Sequence, residues 1–247
     1  MFFGYNGVNP KVINGLLIGL VLISLAQMTS TQWISILLTL PAVIIAITFH
    51  EFAHAFAADR LGDTTPRNQG RLTLNPLAHL DPFGFILMIF AHIGWGKPVQ
   101  VNPNNFNSNK SKGFCESMIS LAGPLMNFFL AIVSCVAFIL LGTFAGGFID
   151  TAIGTWLLYF LNLLMTVNIG LGVFNLIPLP PLDGEKIFRN LLPHKARIWL
   201  LENYQTLSMV FMILWFFGFL EIIVSPIINV IINGLIYVVN NIIVFFI

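Results

Sequence analysis

Within an otherwise apolar run, Thr48-Phe49-His50-Glu51-Phe52-Ala53-His54-Ala55 brings together two imidazoles and a carboxylate. On a helix of 3.6 residues per turn His50 and His54 stack one turn apart, so both rings can reach one ion. Glu51 lies one step round from His50, near enough to touch a water on that ion without ligating it. This is the H-E-x-x-H arrangement, in which two histidines hold zinc and the glutamate serves as general base. So short a pattern arises by chance in soluble helices. In a membrane span it weighs more, because ionisable side chains are costly there. The plainer reading is a buried polar cluster that hydrogen-bonds neighbouring helices.

Two imidazoles leave a catalytic zinc short of a third protein ligand. A candidate lies in Asn175-Leu176-Ile177-Pro178-Leu179-Pro180-Pro181-Leu182-Asp183-Gly184. Three prolines within four residues cannot continue a helix, and broken backbone at membrane depth is tolerated only where protein buries it or it lines a cavity. Asp183 then opens a new segment and can point back at the histidines. Taken alone, it reads more simply as the cap of a short helix over 185–192.

The elements that must position these groups are set by composition. Apolar residues make up 57% of the 247 and charged residues 9%, against about 25% charged in soluble domains, so the solvent is a bilayer. A net charge of +1 gives no footprint for nucleic acid. Cys115 and Cys135 lack metal-ligand spacing and read as helix-packing residues. The first ten residues have no basic leader of a signal peptide.

Runs long enough to span, at roughly 20 apolar residues each, are 12–28, 33–58, 114–144, 152–176, 206–224 and 227–247. The apolar stretch 83–95 is too short to cross and reads as a re-entrant segment. With Lys11 cytoplasmic, six spans place the loops 59–82, 96–113 and 178–205 on that same side, which gathers all 11 basic residues there and leaves only Asp150 outside. Both termini are then cytoplasmic. Arg71-Leu72-Thr73-Leu74 and Pro98-Val99-Gln100-Val101 alternate like short strands. The expected fold is therefore an all-α polytopic membrane protein with about six transmembrane helices and a re-entrant, short β-hairpin region. Residues 1–247 form one membrane-embedded domain, with the motif-bearing core at about 33–192.

H-E-x-x-H in one span and N-x-x-P-x-P-x-L-D-G in a later one resemble the site-2 proteases, the intramembrane zinc metalloproteases. Ala122-Gly123-Pro124-Leu125-Met126-Asn127 is similar to the G-P-x-x-N element of their intervening core helix. Gly70-Arg71-Leu72-Thr73-Leu74-Asn75-Pro76 and Gly94-Trp95-Gly96-Lys97-Pro98 look like the short bacterial-type members. The likeness covers roughly 41–189, with no accessory peptide- or nucleotide-binding domain. It implies one zinc per chain held by His50, His54 and Asp183, with Glu51 as base. It also implies substrate contact by Asn127 and Asn175, for which hydrogen bonding between helices is an equal alternative. The implied partner is a membrane protein with a transmembrane helix, cleaved in or near that helix, in a multi-pass protein of the cell membrane. A metal transporter and a catalytically silent membrane scaffold are the alternatives; the first has no need of Glu51 and the second would not have kept it.

Overall fold

The computed structural model describes residues 19, 29–82, 84, 96–107 and 109–245. The expected span at 12–28 and the re-entrant stretch 83–95 lie, almost whole, outside the described residues. The described residues form the α-helices α1 (Ser30–Arg60), α2 (Thr65–Asn68), α3 (Lys112–Phe144), α4 (Ala152–Asn175), α5 (Asp183–Arg189), α6 (His194–Glu202), α7 (Tyr204–Phe216) and α8 (Phe219–Phe245), joined by loops and short 3₁₀ turns. Four of these hold stretches long and apolar enough to cross a membrane: Ile36–Arg60, Lys112–Phe144, Ala152–Asn175 and Phe219–Phe245.

Local chemistry sets the ends. Ser111 opens α3 by accepting the Phe114 N–H at 3.3 Å, and Thr151 opens α4 by accepting the Gly154 N–H at 3.1 Å, each satisfying a donor that the first helical turn leaves over. The proline-rich run ends α4 at Asn175.

The bundle is turned inside out relative to a soluble protein. Phe129, Ile132, Val133, Phe144, Ile222 and Val230 are exposed, while Asn127, Asn168, His50 and His54 are buried. Lipid takes the apolar surface, and polar side chains find partners only between helices. In the middle, α3 packs chiefly on α4 and α1. Ala131, Cys135, Ile139, Met165, Ile169 and Val239 form one buried cluster of α3, α4 and α8, and Leu182, Phe211 and Leu220 form a second, lined by Phe174 and Trp215.

Three expectations change. The runs 206–224 and 227–247 are not two spans divided near Pro226. The helix breaks at Phe217 and Gly218, where Gly218 has φ +74° and its N–H bonds the Trp215 carbonyl at 2.9 Å. Thus α7 keeps only 13 residues, about 20 Å of helix, while α8 runs unbroken through Pro226 for 27. Secondly, α8 starts at Leu220 beside Leu182, passes Gly170 through Ile228, and reaches the α3–α4 cluster at Val239. It therefore runs alongside α3, and its C-terminal end lies at the end of the bundle away from Asp183. Thirdly, no strand forms at 71–74 or 98–101; the described residues hold a single antiparallel bridge, Leu80 with Gly96. Side-chain and backbone bonds to α1 and the 71–81 loop hold 96–99 instead.

Candidate metal centre

His50 and His54 project from the second half of α1, and their rings meet edge to face with centroids 4.6 Å apart. Both are buried, at 5% and 7% exposure. They fit because α3 carries Gly123 opposite: a Cβ there would overlap the His54 Nε2 and sit 2.6 Å from the His50 Cε1. Pro124 has no N–H to give the Ser120 carbonyl, which loosens this turn of α3. One residue before Ser120, the Ile119 carbonyl accepts the His54 Nδ1–H at 2.7 Å. Four residues beyond Gly123, on the same face, Asn127 accepts the His50 Nδ1–H through its Oδ1 at 2.6 Å.

With both Nδ1 protons directed at oxygens, both Nε2 atoms turn lone pairs inward. Asp183 completes the group. It is the first residue of α5, its N-cap Leu182 makes no side-chain capping bond, and its Oδ2 lies 3.2 Å from the His50 Nε2 and 3.0 Å from the His54 Nε2. The two Nε2 atoms are 3.0 Å apart. The carboxylate therefore points at the histidines rather than at its own helix end. The turn depends on Gly184, where a Cβ would strike the carbonyl oxygens of Leu176 and Ile177. Behind it, Arg189 lies 3.2 Å from Glu185 and 3.6 Å from Glu116, which ties α5 to the start of α3. Burial pushes the Glu185 carboxyl up, and Arg189 and Lys186 oppose that.

These three side chains form the one such group among the described residues that could hold a metal ion. The donor set fits one. Three lone-pair atoms at 3.0–3.2 Å repel unless a cation or shared proton lies among them. Tetrahedral zinc, with bonds of about 2.0–2.2 Å, sets neighbouring ligand atoms about 3.3–3.6 Å apart, a few tenths wider than this triangle. Imidazoles oriented through Nδ1–H to an oxygen are also the arrangement that metal ligation favours.

Glu51 is half-buried beside this triangle. Its Oε2 accepts the Val99 N–H at 3.2 Å, and a Cβ on Gly96 would lie 3.6 Å from its Oε1.

The two asparagines separate. Asn127 is fully buried, and besides the bond to His50 its Nδ2 donates to the Ala46 carbonyl at 3.1 Å and to Asn168 Oδ1 at 2.9 Å. Every polar atom of its amide is engaged between helices. Asn175 donates to the Leu171 carbonyl one turn back at 3.0 Å.

Asn168 and Ile119 belong to the site but to none of the sequence motifs. Asn168 is fully buried in α4 and passes its own Nδ2 proton to the Leu164 carbonyl at 2.8 Å. Its signal was a lone amide mid-span; Ile119 acts through its backbone and has no signal.

A model of peptidase family M50 matches residues 38–219. The chain is 37% identical over 187 residues to a Bacillus subtilis protein named "Putative zinc metalloprotease YwhC", covering 76% of this chain and 84% of that one. It is 33% identical to "Putative zinc metalloprotease Rip2" of Mycolicibacterium smegmatis, over 60% of this chain and 54% of the relative. It is 28% identical to "Zinc metalloprotease MJ0392" of Methanocaldococcus jannaschii, over 71% of this chain and 40% of the relative. No solved structure matches the chain.

Proposed function

The chain belongs to peptidase family M50, and from that premise we propose that it is an intramembrane zinc metalloprotease acting on membrane proteins in or near their transmembrane helices. Zinc metalloprotease activity and the zinc itself follow from the family and the relatives' names. His50, His54 and Asp183 hold the ion in this reading, and Glu51 is the general base. The observation that carries it is the convergence of two inward-facing Nε2 atoms and one carboxylate oxygen within 3.2 Å of one another, with a second carboxylate one residue along.

Zinc, when bound, supplies a Lewis acid that polarises the scissile carbonyl and activates water near neutral pH. Glu51 takes the proton of the attacking water and returns it to the leaving amine. Asn127 and the Ile119 carbonyl hold the two Nδ1 atoms, which leaves each Nε2 turned toward the ion's place. Asn127 serves here as a positioning residue for His50, in place of the substrate contact that the resemblance implies. For Asn175, whose Oδ1 is not engaged by the bond to Leu171, substrate contact stands.

A substrate helix hides its carbonyls in its own hydrogen bonds, so it must unwind locally before cleavage. The site lies toward the end of the bundle that carries Arg60, Lys112 and Lys186. By the excess of basic residues in its loops this is the cytoplasmic end, and cleavage falls toward that side. The N-terminus is cytoplasmic on the same rule. The C-terminal end of α8 lies opposite and is extracytoplasmic, in place of the cytoplasmic C-terminus that six spans require; α7 is too short to cross and return the count. Residues 1–247 act as one peptidase domain.

The test is Glu51→Gln, which keeps shape but cannot accept a proton. Cleavage of co-expressed membrane-protein substrates should fall by about 10²–10⁴-fold, with zinc per molecule unchanged. Retained cleavage, or loss of the metal, would remove Glu51 from the role of base.

A further inference from the structure

We propose that Arg71 is a positioning residue for Glu51, acting through the single peptide group that joins Pro98 to Val99. This rests on the reading of Glu51 as the base. Arg71 is 4% exposed and reaches out of the 71–75 loop toward α1. Its Nη2 donates to the Lys97 carbonyl at 2.6 Å and to the Pro98 carbonyl at 2.8 Å. The next N–H along the chain, that of Val99, donates to the Glu51 Oε2 at 3.2 Å.

The Pro98 carbonyl and the Val99 N–H are the two polar ends of one planar unit, and in a trans peptide they point in opposite directions. Arg71 therefore grips one side of the plane while Glu51 is held by the other. Turning the plane to release Glu51 breaks the bond to Arg71 as well. A cation on the carbonyl also polarises the peptide and strengthens its N–H as a donor.

The same segment is fixed from a second direction. Lys97 N–H donates to the carbonyl of His79 at 2.8 Å, and the buried ring of His79 bonds the Thr73 carbonyl through Nε2 at 2.7 Å. At Gly96 a Cβ would press on the His79 carbonyl oxygen and on Ile47 of α1, at 3.3 Å each. The 96–99 segment is thus clamped directly over the base. Arg71 is costly to bury: desolvation works against its guanidinium, and the charge of Glu51 offsets it. A merely structural bond to two carbonyls does not call for a charged residue here; holding a carboxylate that must keep one position does.

The experiment uses the full chain in detergent and a model transmembrane peptide with a fluorophore–quencher pair that the unaltered chain cleaves. With rates referred to zinc-loaded molecules, Arg71→Gln should lower kcat by about 10–100-fold, the order expected when a reacting group is misplaced by up to 1 Å. KM and zinc content should stay within about twofold. Val99→Pro, which deletes the N–H, should lower kcat similarly, and Arg71→Gln added to it should cost less than about twofold more, as residues in one network do not add. Should Arg71→Gln fail to fold, Arg71→Lys, which keeps charge and donor without the planar fork, carries the same comparison with a smaller loss. Unchanged kcat per zinc-loaded molecule, loss of zinc, or full additivity with Val99→Pro would each overturn the proposal. Glu51→Gln run alongside separates the two readings: if it stays active, Glu51 is not the base, and if it is inactive while Arg71→Gln is fully active, only the role of Arg71 fails.

Discussion

Gly123→Ala should weaken zinc binding without replacing a single candidate ligand. The added methyl would stand 2.6 Å from the His50 Cε1 and overlap the His54 Nε2, whereas ordinary contact begins at 3.4 Å. One or both rings must therefore recede from α3 by roughly 0.8 Å, against a tolerance of about 0.2 Å in metal–ligand distance. The rings cannot swing freely, because Asn127 and the Ile119 carbonyl hold their Nδ1 atoms at 2.6 and 2.7 Å. Overpacking of this kind costs about 1–3 kcal/mol, and at 1.4 kcal/mol per tenfold that is a loss of zinc affinity of about fivefold to over a hundredfold. The assay is zinc retained per molecule across a chelator titration, with cleavage measured on the same samples. Gly142→Ala on the same helix is the control: nothing lies within 4 Å of a Cβ there, and Ala is about 1 kcal/mol the better helix former. It should retain zinc and lose no stability. If Gly123→Ala binds zinc as tightly as Gly142→Ala does, the histidines are not where this reasoning needs them.

Asp183→Ala should lose zinc and cleavage together, because two histidines hold the ion loosely, while Asp81→Ala, whose carboxylate accepts the Gly84 N–H at 2.8 Å, should lose neither; zinc per folded molecule distinguishes a ligand from a helix cap. Asn127→Ala should weaken zinc binding by about 10–100-fold, as removal of a partner to a metal-ligating histidine does; a raised KM with unchanged zinc affinity would return Asn127 to the substrate. A topology reporter fused beyond Phe245 should read extracytoplasmic, as one after Asp150 should, and one after Lys195 cytoplasmic; a cytoplasmic reading beyond Phe245 would restore the six-span count.

How far the sequence reached depended on whether a residue acts through its side-chain chemistry or through its place. His50, Glu51 and His54 were legible because helical geometry fixes their mutual arrangement. Asp183 was legible only as a possibility: 129 residues separate it from His54, and what turns it inward is Gly184 against the end of α4, a contact that no local pattern records. The α7–α8 boundary was missed for a related reason. In lipid every residue from 204 to 245 is free to be apolar, so hydrophobicity carries no boundary between Gly218 and Pro226. Yet a proline inside a membrane helix forfeits one bond that neighbours can re-satisfy, while a glycine at positive φ ends the helix outright. The alternation at 98–101 misled differently. Its backbone does bond outward like an edge, but to a carboxylate at Glu51 and a guanidinium at Arg71 rather than to a strand. That substitution is informative about the site. A loop that paired with another strand would be held by backbone alone and would tolerate any sequence of the right period, whereas this one is also held by two opposite charges, one of them the carboxylate proposed as the base.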